Sequence, residues 1–432
     1  MSANGDSRYA AALCGRSVAE AAPVKVPGEL EIQAQLFNGA FGCAWRTLCG
    51  RRVEVLHFGD WNREAGPDFK GAVVRFDDGE ETKGDIEIDP DARDWERHGH
   101  ATNPAYANVV LQFFLTQGRE VFFARTQDNR SVPQVRLPVE NDLRPSASPR
   151  GGHVGLDEAR AMIAEASAFR LRTKHAAYCS AETLHGADAA LFHAIAAGLG
   201  YKNNAIPFLL VAARAGLRRA SAASGEALLF GLAGFLAPRH FDDADEITKK
   251  YLKPLWDEWW TVRDANSLLM LDAGMWKLSG IRPSNHPHRR LGALAVVAGR
   301  FPRLRRLVSQ GGPAGFREFF ESLDHPYWSF HFNLSAGPLG KKTALVGSDR
   351  VLDLLINAHI PTLEPERGLR ELGELRGPTP SGRVRRACDW LAGGFEESLV
   401  RTARDQQGLI QLHGDFGHLT AREALERINP GS

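Results

Sequence analysis

The sequence predicts an α+β fold, an N-terminal mixed sheet followed by a mainly α-helical C-terminal domain. Three observations point there. Short runs between Arg52 and Arg125 alternate apolar and polar residues with strand periodicity. A stretch rich in Pro, Ser and Gly, residues 138–155, then breaks the pattern as a linker does. Beyond residue 150 strand alternation is essentially absent, and apolar residues recur at helical spacing in alanine-rich segments. At 432 residues the chain exceeds what one hydrophobic core usually organises. Two domains are therefore expected, 28–137 and 156–432, behind a flexible leader, 1–27, that closes with Pro23 and Pro27.

Taken in order, residues 28–45 read as a helix, with Leu30, Gln33, Ala34, Phe37 and Phe41 near one face and Glu29, Glu31 and Asn38 around it. Residues 52–59 read as a strand. A Gly66-Pro67-Asp68 turn leads into an apolar run, 71–76, and a polar turn at 77–81 leads to a second short strand, 84–89. Residues 91–103 carry too many polar side chains for a core element. The most strand-like run is 108–116, NVVLQFFLT, and 121–125 completes a hairpin after a turn at Gly118. Helices are expected at 156–178, 188–198, 205–215, 226–236, 243–262, 287–299, 349–358 and 383–403.

Composition excludes several classes. Hydrophobic residues make up 43% and charged residues 24%, as in a globular protein and unlike a disordered one. No apolar run approaches the length of a membrane span, and Asp6, Arg8, Arg16 and Glu20 interrupt the first residues in a way no signal peptide does. A cytoplasmic protein without a membrane partner is the expectation. The five cysteines are scattered and form no C-x-x-C pair, so neither a disulfide framework nor a structural zinc site is indicated. There is no Gly-rich phosphate loop, dinucleotide fingerprint or G-x-S-x-G elbow, and no nucleotide cofactor is expected. The net charge of +1 hides an acidic first third and a basic remainder, an asymmetry compatible with a nucleic-acid partner.

The chemistry concentrates in residues 66–100. On the strand 84–89, Ile86 and Ile88 alternate with Asp85, Glu87 and Asp89, so the isoleucines face a core while the acids point away from it. If the two strands pair, Asp68 at the mouth of the first approaches Glu87 and Asp89 on the second. Three converging carboxylates repel one another unless a cation neutralises them, and hard divalent ions such as Mg2+ or Mn2+ take oxygen ligands of this kind. The same acids also read as the solvated face of a half-buried hairpin. His98 and His100, two residues apart, follow closely and would serve a metal or act as general base; structural histidines account for most such pairs.

In the second half, residues 281–290, IRPSNHPHRR, gather Arg282, Arg289 and Arg290, whose guanidinium forks match phosphate oxygens. Their alternative role is structural, with Pro287 in the first turn of a helix and Asn285 or Ser284 as its cap. The arginines at 303, 305 and 306 and at 383, 385 and 386 read as solvated helix faces. Trp256, Trp259 and Trp260 read as core or interface.

Pro67-Asp68 followed by Glu87-Ile88-Asp89 resembles the PD-(D/E)XK nuclease superfamily, whose sites pair an Asp after a proline-led turn with Glu-x-Lys on the next strand. The resemblance implies a restriction-endonuclease-like domain over 28–137. It also implies a helical Glu ahead of the first strand, for which Glu31 is the candidate. Asp68 and Glu87 would hold Mg2+ or Mn2+, with Asp89 as third ligand or orienter of water. Asp89 stands where the superfamily has lysine; Lys70 and Lys83 are the nearby substitutes. More widely, NREAGPDFKGA (62–72), GDIEID (84–89), DWERHGH (94–100), PAYANVVL (104–111), GLGYKNN (198–204), IRPSNHPHRRLGALA (281–295), LINAHIP (355–361) and QGLIQLH (407–413) resemble the bacterial domain-of-unknown-function family DUF2851. That family tends to carry His at the position of Asp89 and a cysteine-rich tail that is missing here. The reading that follows is a metal-dependent nuclease cleaving DNA or RNA. The alternative is a catalytically inactive relative that binds nucleic acid or acts as a scaffold.

Overall fold

A computed structural model describes residues 8–14, 27–62, 64–117, 123–138, 152–242 and 244–429. The fold is α+β, with a seven-stranded mixed sheet in the N-terminal part and helices after it. The chain forms two compact units, each built from separated stretches. One comprises 28–137 and 178–359; the other comprises 1–27, 138–177 and 360–432. The helical residues 156–432, expected as one domain, thus divide between two units, and a boundary falls inside a single long helix.

The first helix, α1 (Arg8–Cys14), lies in the segment expected to be a flexible leader. Tyr9 and Ala12 are buried with Val384, Cys388, Leu412 and Phe416 in one apolar core. The Tyr9 hydroxyl donates to Asp415 Oδ2 at 2.8 Å, and its ring packs edge-on to Phe416. Spacing of three residues puts Tyr9 and Ala12 on one helical face, and burying that face orders the segment. Residues 1–7 and 15–26 of the expected leader, and 139–151 of the expected linker, lie outside the described residues.

Helix α2 (Glu29–Phe37) is shorter than the helix expected over 28–45. Gly39 takes a left-handed φ of 74° just past its end, Gly42 follows with φ 85°, and residues 44–46 are already strand. The strands are β1 (Ala44–Arg46), β2 (Arg52–His57), β3 (Asp60–Trp61), β4 (Phe69–Phe76) and β5 (Glu81–Asp91). A short helix α3 (Asp94–Arg97) and two 3-10 turns (His100–Thr102 and Pro104–Tyr106) precede β6 (Val109–Thr116) and β7 (Gln134–Arg136). The sheet order is β1-β2-β4-β5-β6-β7, with β3 also on β4. Pairing is antiparallel up to β4–β5 and parallel for β5–β6 and β6–β7. The hairpin expected from 108–116 to 121–125 is therefore not how β6 pairs; residues 118–122 lie outside the described residues.

The β4–β5 turn places Asp77 and Asp78 at φ 50° and 59°, the left-handed pair that suits the twist of a tight hairpin. Strand β5 lies between two neighbours and is buried from Gly84 through Asp89. A Cβ on Gly84 would lie 2.3 Å from Val110 Cγ1 and 2.7 Å from the Asn108 carbonyl oxygen, so only glycine lets β6 approach here. Behind the sheet, Phe37, Phe58, Trp61 and Phe69 form an aromatic cluster; Phe58 and Phe69 lie 4.9 Å apart and Phe37 and Trp61 5.0 Å.

The helices that follow are α4 (Leu156–His185), α5 (Ala187–Ala215), α6 (Leu217–Ala220), α7 (Gly225–Leu232), α8 (Arg239–Asp242), α9 (Glu246–Asn266), α10 (Pro287–Gly299) and α11 (Phe301–Glu321). Then come α12 (Ser348–Leu354), α13 (Pro365–Glu374), α14 (Gly382–Ala392), α15 (Ala403–Phe416) and α16 (Ala421–Ile428). Helix α10 matches its expected bounds. The helix expected over 383–403 stops early, as α14 ended by Gly393 at φ 77°, and α15, capped by Thr402 and Asp405, starts only at Ala403. No helix among the described residues is long and apolar enough to cross a membrane.

Candidate metal centre

The site is assembled from three short-range pieces. The β3–β4 turn is pinned by Asn62, whose amide donates to the carbonyls of Glu64 and Pro67 and whose backbone N–H donates to the Asp68 carbonyl at 2.7 Å. This fixes Asp68 at the head of β4. Strand β5 carries Glu87 and Asp89, and the 3-10 turn after α3 carries His100.

These groups converge and are buried. Asp68 is 8% exposed, Glu87 6%, Asp89 1% and His100 5%. Ligand atoms of Glu87, Asp89 and His100 all lie within 4.8 Å of one another. That spread is about twice a metal–oxygen bond length, which a bound divalent ion would close. The solvated-face reading of the β5 acids fails because β5 is central and the α3 region covers its polar face. The acids do point away from the isoleucines, but into protein.

Each carboxylate is held by a separate set of donors. Asp68 Oδ1 accepts from Gln33 Nε2 at 2.6 Å, and Oδ2 accepts from the Ile88 backbone N–H at 2.8 Å. The Asp68 N–H in turn donates to Glu87 Oε2 at 3.2 Å. Gln33 is fully buried on α2; its Nε2 also reaches Glu29 Oε1, and its Oε1 accepts from Trp61 Nε1. Asp89 Oδ2 accepts from Gln112 Nε2 at 2.6 Å, and Gln112 Oε1 accepts from Gln134 Nε2 at 2.7 Å. Two glutamine relays thus orient two carboxylates.

The histidines approach from the other side. His100 Nδ1 lies 3.5 Å from Glu87 Oε1, and the ring stacks on Tyr106 at 3.9 Å. His98, half-exposed, places Nδ1 3.6 Å from Asp89 Oδ1. The Nδ1 atom of His100 is buried without a hydrogen-bond partner among the described residues, a ligand atom aimed at a carboxylate. This is the observation on which the donor set fits a divalent ion.

Electrostatics agree with the geometry. Burial, then the charges of Asp68 and Asp89, push the Glu87 carboxyl far above the carboxylate range. Burial raises Asp89 to about 7, opposed by the Gln112 hydrogen bond. Burial, then His98, lowers His100 to about 4, which leaves its imidazole neutral and free to ligate at neutral pH. A bound cation would offset the carboxylate charge. Asp68, Glu87 and His100 open on a cavity of about 410 Å³, whose wall also includes Glu29, Asn62, His98 and Tyr106.

Other expected site residues fall elsewhere. Glu31 is exposed on α2, whereas Glu29 lines the cavity. Positions 29 and 33 share a helical face and 31 points away from it, so Glu29 and not Glu31 reaches the cavity wall. The periodic pairing of Glu29 with Gln33, and the one polar residue inside the apolar run VVLQFFL, Gln112, were the available signals for the glutamine relays. Lys83 and Lys70 are exposed. A Cβ on Gly66, in the cavity wall, would lie 3.5 Å from Lys70 Nζ, so Lys70 reaches the rim.

Neither Arg282, Arg289 nor Arg290 lines this cavity. Arg289 is 1% exposed and ties a loop together. Its Nη1 donates to the Trp328 and His331 carbonyls, and its Nη2 to Thr343 Oγ1 and the Ala344 carbonyl, at 2.7–2.8 Å for the last three. Those bonds leave it a structural role, in place of the phosphate contact expected from sequence. Arg282 is exposed and Arg290 is buried.

Comparison with known proteins places the chain without assigning it an activity. No curated protein and no solved structure matches it. A family described as Protein of unknown function (DUF2851) matches residues 37–148 and 153–366, and the chain belongs to that family.

Proposed function

We propose that the protein is a divalent-metal-dependent phosphodiester hydrolase, a nuclease of PD-(D/E)XK type in which a carboxylate and an imidazole replace the usual lysine. One observation carries the reading: Glu87, Asp89 and His100 converge, buried, beside Asp68, and Asp68, Glu87 and His100 line an open cavity. Glu87, Asp89 and His100 would hold the ion, and Asp68, anchored by Gln33, would complete the set. A divalent ion bound there offsets the carboxylate charge and polarises a phosphodiester. The mixed carboxylate and imidazole donors favour Mn2+ over Mg2+. His98, at the cavity mouth beside Asp89, accepts the proton of the attacking water. Lys70 at the rim offsets charge developing on the phosphate.

A second reading, metal binding without turnover, draws on Asp89 standing where a nuclease carries lysine. Cleavage of labelled single- and double-stranded DNA and RNA with Mn2+ or Mg2+, run beside Glu87→Ala, separates the two. Metal-dependent cutting that vanishes in the variant supports the hydrolase. Wild-type rates in the variant overturn it, and metal binding measured by calorimetry without any cutting moves the assignment to the binding protein.

A further inference from the structure

A second charged cluster lies in the same compact unit, among residues that have no part in the metal centre. Arg290, in the first turn of α10, is 3% exposed. Its Nη2 donates to Asn285 Oδ1 at 2.7 Å, which folds the side chain back over the start of the helix. Its Nε and Nη1 groups are buried and have no partner among the described residues. The charges that act on it are those of Arg350 and Arg289, both of its own sign. Burial followed by these two lowers its pKa to about 9, so it keeps its proton at neutral pH.

Arg350, on α12, closes the cluster. Its Nη1 pairs with Asp353 at 2.8 Å, its Nε is buried without a partner among the described residues, and its guanidinium lies 3.7 Å over the Tyr201 ring. Tyr201 sits at the kink of α5 with φ 54° and ψ −152°. The segments GLGYKNN and IRPSNHPHRR, far apart in the chain, thus contribute to one place.

A buried guanidinium with no counter-charge is costly, because the lost hydration is not replaced. The start of a helix adds further positive potential. We infer that the first turn of α10, with Arg290 and Arg350, forms an enclosed binding site for a small oxyanion of the phosphate class. Neither free donor of Arg290 reaches solvent, so the ligand is inorganic phosphate or a small phosphate monoester and not the backbone of a polymer. Both Nη groups of Arg289 are committed elsewhere, to the Trp328, His331 and Ala344 carbonyls and the Thr343 hydroxyl, so Arg289 adds charge beside the site through a guanidinium that is already tethered. The inference stands independently of the metal centre and of the hydrolase reading.

The test uses the full chain in phosphate-free buffer with EDTA, which prevents anion binding through a metal. Phosphate released on acid denaturation is assayed, and thermal melting is followed against inorganic phosphate at constant ionic strength, in wild type and in Arg290→Met. Expected are released phosphate or a phosphate-dependent rise in melting temperature in the wild type, and in Arg290→Met an affinity weakened by about tenfold or more. Arg290→Met in the absence of phosphate should be at least as stable as the wild type, as expected when an uncompensated buried charge is removed. A wild type that releases no phosphate and does not respond to it overturns the inference, as does a variant that responds equally. Should Arg290→Met fail to fold, Arg350→Gln serves: a reduced phosphate response supports the site, and an unchanged one refutes it. Competition by glycerol phosphate in place of free phosphate identifies a monoester as the source; its failure to compete leaves free phosphate.

Discussion

Glu87 is penalised twice for carrying charge, by burial and by two neighbouring carboxylates, and Asp89 is penalised chiefly by burial. Both folded-state pKa values lie above the unfolded ones. The metal-free protein therefore holds protons that the unfolded chain gives up. For Asp89, whose value rises from 3.8 to about 7, the associated stability is fully present below the lower value and is lost as pH rises through the upper one. The EDTA-treated protein should thus melt at a lower temperature at about pH 8 than at about pH 5. Glu87→Gln should flatten that slope and stabilise the metal-free protein at about pH 8 by about 1 kcal/mol or more. Thermal melts across this range decide it: a Glu87→Gln profile that parallels the wild type would remove the argument for a strained carboxyl. By the same linkage, Mn2+ binding should release protons and tighten as pH rises, because ligating Glu87 must ionise. Calorimetry in buffers of different ionisation enthalpy reads the proton count directly, and a count of zero at neutral pH would contradict it.

At the scale of elements, the site depends on β5 being the middle of a sheet and on two glutamines reaching it from α2 and β6. Gln112→Leu should leave Asp89 without its strongest donor and weaken metal affinity by about 10–100-fold, the usual range for a residue behind a ligand. Gln33→Leu should act likewise through Asp68. Unchanged Mn2+ affinity in both variants would show that the relays are packing and nothing more. Gly84→Ala should cost about 1–3 kcal/mol by forcing β6 away from β5, seen in urea unfolding. These elements also mark what the sequence could show. The alternation of Ile86 and Ile88 with acids, and the Pro67-Asp68 turn, are local patterns, so β4, β5 and the meeting of Asp68 with Glu87 were legible. Burial of those acids was not, because it comes from α3 and the 3-10 turns at residues 100–106, whose polar composition gives no sign that Trp95 and His100 turn inward. Glu29 and Glu31 are both exposed helical acids, and only the position of the sheet decides which faces it.

The whole molecule is built from two compact units whose chains interleave, and such interleaving leaves no periodic mark in a sequence. The run of helices from 156 onward looks uniform residue by residue. Yet 178–359 packs in one unit with the sheet, while 138–177 and 360–432 pack in another with the N-terminal residues. Tyr9 shows why. Its ring lies against Phe169 of α4 and Phe416 of α15, contacts separated by more than a hundred residues in each case, and its hydroxyl is held by Asp415. An alanine-rich segment with one aromatic residue reads as a leader because nothing near it in sequence offers that core. Tyr9→Ala should remove a fully buried ring from this unit and cost about 3 kcal/mol or more. Hydrogen exchange gives the sharpest reading: amides of α14, α15 and α16, whose apolar faces share the Tyr9 core, should exchange faster in the variant. If their protection is unchanged, α1 is an ornament on that unit and the first residues return to the role of a leader.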